Sequence, residues 1–155
     1  MKFQLQLFYS AIICVSTSSL YASEFDQFLQ KNNVIDHEFK IQDKKQLNEI
    51  LDVLSAEDSK TLPIKIDQNI IIEQFNLSAN KTEIKGLIIT PDFTQFELEM
   101  GSSEVKKLIR NNIQKNCAIF YEHQYQKANP YSVKFELSSP EKSYELELTQ
   151  KDCKL

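Results

Sequence analysis

The run Tyr131-Ser132-Val133-Lys134-Phe135-Glu136-Leu137, followed after a turn at Ser138 to Lys142 by Tyr144-Glu145-Leu146-Glu147-Leu148, decides how the chain folds. Apolar and polar residues alternate without a break in both runs, and side chains two apart on a strand share a face. Tyr131, Val133, Phe135 and Leu137 therefore belong to one side with Tyr144, Leu146 and Leu148, while Lys134, Glu136, Glu145 and Glu147 belong to the other. The pattern is that of an antiparallel hairpin with one buried and one wet face.

Upstream of it the period becomes helical. Val105, Leu108, Ile109 and Ile113 follow a capped start at Ser102 or Ser103, and Ile109, Ile113 and Cys117, spaced four apart, share a helix face. Thr90-Pro91 marks an earlier helix start that carries Phe93 and Phe96 and is interrupted at Gly101. Before that, Pro63 opens an extended stretch from Leu62 to Leu77, rich in isoleucine, which turns at Ser78-Ala79-Asn80 and returns through Thr82 to Thr90 as a first hairpin. Asp43 caps a still earlier helix, whose stripe of Leu47, Ile50, Leu51 and Leu54 ends near residues 55–59. The order α-β-β-α-β-β predicts an α+β fold, a four-stranded antiparallel sheet with helices packed on one face.

The first 22 of the 155 residues read differently: one charge at Lys2, an apolar run through Leu7, Phe8, Ala11, Ile12, Ile13 and Val15, a Ser/Thr-rich patch, then Ala22. That is a secretory signal peptide removed near Ala22, and Gln4, Gln6 and Ser10 break the run too often for a membrane span. The chain then divides into residues 1–22 as signal, 23–42 as an N-terminal arm or short helix, and 43–155 as a single α+β domain. Lipid attachment at Cys14 is the alternative, against which Ile13 stands where a small residue is needed. Loss of Cys14 with the signal leaves Cys117 and Cys153, and an even pair in an oxidising compartment reads as one disulfide, with two free buried thiols as the other outcome. Redox catalysis by the pair is disfavoured, because catalytic cysteines sit close in sequence.

Charge and composition exclude several functions. The net charge of −4 becomes −5 once Lys2 is removed, which argues against nucleic acid, and Lys106, Lys107 and Arg110 read as a solvated helix face. Gly86 and Gly101 are the two glycines, too few for a phosphate-binding loop. His37 and His123 have no partner at metal-ligand spacing, no Ser lies in G-x-S-x-G, and Glu145 with Glu147 reads as solvation of an outer strand face. No cofactor is implied. Phe120, Tyr121, His123, Tyr125 and Tyr131 form an aromatic cluster, which is either core packing or the rim of a site for a protein or peptide partner. Asn76-Leu77-Ser78 and Asn80-Lys81-Thr82 match the glycosylation pattern, which matters only in a eukaryotic source.

Leu62-Pro63-Ile64 entering a hairpin, Thr90-Pro91-Asp92-Phe93 starting the second helix, Cys117 near its end and a final Cys153 after a closing hairpin resemble the AspS-type pilotins of bacterial type II secretion. The resemblance covers residues 60–153. It implies a small periplasmic domain with a disulfide between the matching cysteines, which escorts secretin subunits by gripping a C-terminal secretin helix. Those pilotins are lipoproteins, whereas Cys14 here lacks the small preceding residue that lipidation requires. The expected function is a non-enzymatic periplasmic binding or assembly protein, with Leu108, Ile109, Phe120, Tyr121 and Tyr125 as partner-binding residues. The alternative is a secreted inhibitor or host-directed factor that presents a rigid loop at Gln124 to Pro130.

Overall fold

The computed structural model describes residues 22–65 and 68–153, so the expected signal peptide, except Ala22, lies outside the described residues together with Cys14. In chain order the elements are α1 (Glu24–Lys31), α2 (Lys44–Asp58), β1 (Ile64–Lys65), β2 (Ile70–Ser78), β3 (Lys81–Ile88), α3 (Phe93–Met100), α4 (Ser102–Lys115), α5 (Gln124–Ala128), β4 (Ser132–Ser138), β5 (Ser143–Thr149) and α6 (Gln150–Cys153). Short 3-10 turns follow α2 at Ser59–Thr61 and α4 at Cys117–Phe120. The fold is α+β with one disulfide, Cys117–Cys153.

Two expectations about the sheet need correction. It has five strands in the order β1-β2-β3-β4-β5 rather than four, because the stretch from Leu62 to Leu77 doubles back and pairs Ile64 with Ile72 and Lys65 with Ile71. It is also mixed rather than antiparallel: β3 and β4 run parallel, from Lys81 opposite Ser132 to Leu87 opposite Ser138. Parallel neighbours need a crossover, and residues 89–131 with α3, α4 and α5 supply it. The other pairings are antiparallel, and the hairpin of β4 and β5 sets Phe135 opposite Leu146 and Val133 opposite Leu148.

The register stacks apolar rows across the inner face. Phe75, Ile84, Phe135 and Leu146 form one row, and Ile72, Gly86, Leu137 and Tyr144 another. Gly86 is required there, since a Cβ would come within 2.6 Å of the Ile71 carbonyl oxygen, beside the bulge between Ile72 and Gln74. On the outer face Lys85, Lys134, Glu136, Glu145 and Glu147 meet solvent, and Lys85 pairs with Glu136 at 2.9 Å.

Helices seal the sheet edges. Asp43 accepts a hydrogen bond from the Gln46 amide at 2.9 Å and starts α2, which buries Leu47 and Leu51. From the same helix Ser55 Oγ accepts from the Leu77 amide and Asn48 Oδ1 from the Ala79 amide, both at 2.8 Å, so side chains of α2 take up two backbone donors at the end of β2 that β1 leaves uncovered. At the far edge Arg110 of α4 donates to the Glu147 carbonyl at 3.1 Å. The expected caps of α3 and α4 differ from the structure. Asp92 (φ 57°) precedes α3 and Gly101 (φ 80°) separates α3 from α4, neither with a side-chain cap bond, because the chain turns sharply at both points. Residues 23–42 form α1 and a tight loop closed by a bridge between Ile35 and Ile41, and Leu29, Val34 and Ile35 join the core.

Candidate functional site

The inner face of the sheet is closed at one end and open at the other. At the closed end Tyr121, Tyr125 and Tyr131 meet edge to face, with Tyr121 and Tyr131 ring centres 5.9 Å apart and Tyr125 and Tyr131 6.1 Å apart. Tyr121 and Tyr125 are fully buried. The Tyr121 hydroxyl lies within hydrogen-bonding range of the carbonyls of Tyr131 at 3.3 Å and Leu148 at 3.2 Å, and Tyr131 Oη bonds Thr82 Oγ1 at 2.8 Å. Burial, reinforced by Tyr131 and more distant carboxylates, pushes the Tyr121 phenol up to about 12. Tyr125 is pushed up further for the same first reason, and its hydroxyl is buried without a hydrogen-bond partner among the described residues. The neighbouring Tyr131 hydroxyl raises it further but does not meet it in hydrogen-bonding geometry.

The disulfide fastens this end. Cys117 is buried, and Cys153 closes α6, whose Asp152 accepts from the Thr149 amide at 2.8 Å and from the Arg110 guanidinium at 2.9 Å. These bonds, those to Thr149 above all, hold the Asp152 carboxyl below its ordinary value. Helix α4, the 3-10 turn and the last strand are thereby held together.

The open end is a groove of two adjoining cavities, of about 380 and 500 Å³, that share Ile70, Asn112, Ile113 and Leu137. The inner sheet face is its floor and α4 one wall. The turn after α2 and β1 flank the larger cavity through Thr61, Leu62 and Ile64, and α3 flanks the smaller through Phe93 and Phe96. Large apolar side chains stand exposed on the rim: Phe96, Leu108, Ile64 and, at 68% exposure, Ile119.

The five residues expected to contact a partner therefore divide. Leu108 and Ile109 line the smaller cavity, and Phe120 lines the larger while packing edge-on against Phe135 at 5.1 Å. Tyr121 and Tyr125 lie in the core beneath the surface. Ile119 was not singled out in the sequence, and Phe96 was read only as part of a helix stripe, since periodicity does not report which part of a stripe remains uncovered.

Two buried carboxylates also escaped it. Glu97, 3% exposed, accepts a hydrogen bond from the Tyr144 hydroxyl and lies 3.5 Å from Lys142 Nζ, which ties α3 to the β4–β5 turn; burial first, then this carboxylate, pushes Tyr144 up to about 12. Asp26 brings α1 to α5 by accepting from the amides of Gln124 at 2.9 Å and Tyr125 at 3.3 Å. The residue types of a hydrolytic triad meet here, but in the wrong order: Ser23 Oγ bonds both Asp26 at 2.7 Å and His123 Nδ1 at 2.9 Å, and the carboxylate holds the serine instead of the second ring nitrogen. Among the described residues no group of three or more His, Cys, Asp or Glu is placed to hold a metal ion, and no helix is long and apolar enough to cross a membrane.

No family model matches the chain, and no curated protein matches it. Two solved structures share its layout in part. A protein from Pseudomonas aeruginosa, proposed to be secreted, overlaps 71% of this chain and 95% of its own at 12% identity and a TM-score of 0.46. The pilotin EpsS of the Vibrio vulnificus type 2 secretion system overlaps 71% of this chain and 94% of its own at 16% identity and a TM-score of 0.40. Overlap at this level assigns neither family nor function to the chain.

Proposed function

We propose that this chain is a non-enzymatic exported binding or assembly protein that holds an amphipathic helix of a partner protein in the groove between α4 and the sheet. The lining carries this reading: the two cavities join over Ile70, Ile113 and Leu137, and their rim exposes Phe96, Leu108, Ile64 and Ile119. A contiguous apolar surface of this kind gains by being covered, and a helix covers a groove with anchors at i, i+3, i+4 and i+7. The few polar groups along it are the amides of Asn69, Asn112 and Asn116, the hydroxyls of Thr61 and Thr90, and one carboxylate, Asp58. The AspS-type layout read from the sequence implies the C-terminal helix of a secretin as that occupant.

Calorimetric titration of secretin C-terminal peptides into the protein tests the reading. Binding is expected, and Leu108→Lys or Ile119→Lys, both at exposed positions, should weaken it roughly tenfold or more while leaving the fold intact. Absence of binding across a panel of such peptides, or binding indifferent to both substitutions, would sink it.

The alternative, a secreted inhibitor with Gln124 to Pro130 as its presented loop, has a narrower basis. That segment is α5 and its exit, pinned by Gln150, whose side-chain amide donates to the carbonyls of Lys127 and Asn129. It is rigid as that reading requires, yet Tyr125 and Gln126 are buried and Lys127 and Pro130 are what it exposes.

A further inference from the structure

Asp26 is a carboxylate with 0% exposure and, among the described residues, no ion pair. Burying a charge is costly unless it is paired or fully hydrogen-bonded. Its donors are four: the Gln124 and Tyr125 amides, the Ser23 hydroxyl, and the Ser23 backbone nitrogen at 3.2 Å. Each of the first three is a neutral group fixed by the fold. The fourth is the atom that a cut after Ala22 would turn into an α-ammonium.

We propose that cleavage between Ala22 and Ser23 completes the fold, because the Ser23 α-ammonium it releases becomes the cationic partner of buried Asp26 and locks α1 onto α5. The step is a hydrolysis. Water adds across the peptide bond, the C–N bond breaks, Ala22 leaves as a carboxylate, and the Ser23 amine takes up a proton. One amide donor is thereby replaced by a charged group with three donors, and a charge-assisted bond is about twice as strong as a neutral one. The geometry needs no rearrangement: Ser23 already caps α1 by accepting from the Asp26 amide at 3.1 Å, and its hydroxyl already touches His123 at the entry to α5. The bond lost on cleavage is minor, since Gln27 holds the Ala22 carbonyl at 3.2 Å on an exposed surface. Asp26 also accepts from two amides about a hundred positions away in sequence, so the buried surroundings of the pair are complete only when α5 has docked.

The inference rests on the export reading, and its test separates the two. N-terminal sequencing of the exported protein should begin at Ser23. Two purified forms, one starting at Ser23 and one retaining Ala22, should differ in unfolding midpoint by roughly 4 °C or more in favour of the first. Asp26→Asn should close that gap, and where this variant fails to fold, carbamylation of the Ser23 amine should close it instead. Equal midpoints for the two forms, or an exported protein that begins at another residue, overturn the proposal and leave export standing. An uncut chain retained in the cell overturns both.

Discussion

The closed aromatic end and the open groove lie on one sheet face and end in opposite states. Tyr121 and Tyr125 are fully buried, whereas Leu108 and Phe96 each stand 41% exposed. The difference lies in what the side chains carry at their tips and in what pins the backbone above them. Tyr121 reaches two strand-end carbonyls and Tyr131 reaches Thr82, so packing and hydrogen bonding converge on one arrangement, which the disulfide and the Asp152 bonds hold shut. Along the groove the lining is mostly aliphatic and aromatic carbon, which stabilises any apolar cover equally well. The closed end and the open groove thus differ in the polar tethers that hold the backbone above them.

Removing the central aromatic breaks that comparison most severely. Tyr121→Ala should cost about 4–5 kcal/mol, by cavity formation and by loss of the hydroxyl from two strand-end carbonyls, and denaturant unfolding of the variant measures it. Cutting the covalent tether comes next. Cys153→Ser opens a loop with a sequence separation of 36 and should cost about 3–4 kcal/mol, read as a lower unfolding midpoint; an unchanged midpoint would show that noncovalent contacts alone close this end.

A smaller and more discriminating pair separates polar tethering from packing. Tyr121→Phe removes a bonded hydroxyl and should destabilise by about 1–2 kcal/mol, while Tyr125→Phe removes a hydroxyl with no partner and should be neutral or stabilising by up to about 1 kcal/mol. Equal losses in both would mean that hydroxyl bonding does not distinguish the closed end.

The smallest expected effect is on pH dependence. The folded-state carboxyl of Asp152 lies below its ordinary value of 3.8, so its contribution is fully present above about pH 4 and is lost as pH falls through the depressed folded value. Asp152→Asn should therefore reduce the loss of stability between pH 5 and acid by a small amount, measured as unfolding midpoints across that range. A variant with the full wild-type acid dependence would place the titration elsewhere.

Much of this architecture was legible from spacing alone. The alternation of Tyr131 to Leu137 and Tyr144 to Leu148 determined both the hairpin and its dry face, because the period of a strand is a property of the backbone. The stripe of α2, with Asp43 as its cap, was legible for the same local reason. Cysteine parity after removal of a signal pointed to the pair that is bonded.

Other features depend on where distant segments arrive. The parallel pairing of β3 with β4 follows from the path of residues 89–131, and β1 is separate because Ile64 and Lys65 pair back onto Ile72 and Ile71 of β2; a strand's own residues specify neither. Asp26 and Glu97 look like ordinary helix-surface acids in the sequence, and their burial arises only when α5 and the β4–β5 turn dock against them. The groove has the same origin. Whether an apolar stripe becomes core or open surface depends on which element covers it, a long-range contact that no local period encodes, so Val105 is buried while Leu108, three residues further along α4, faces the groove.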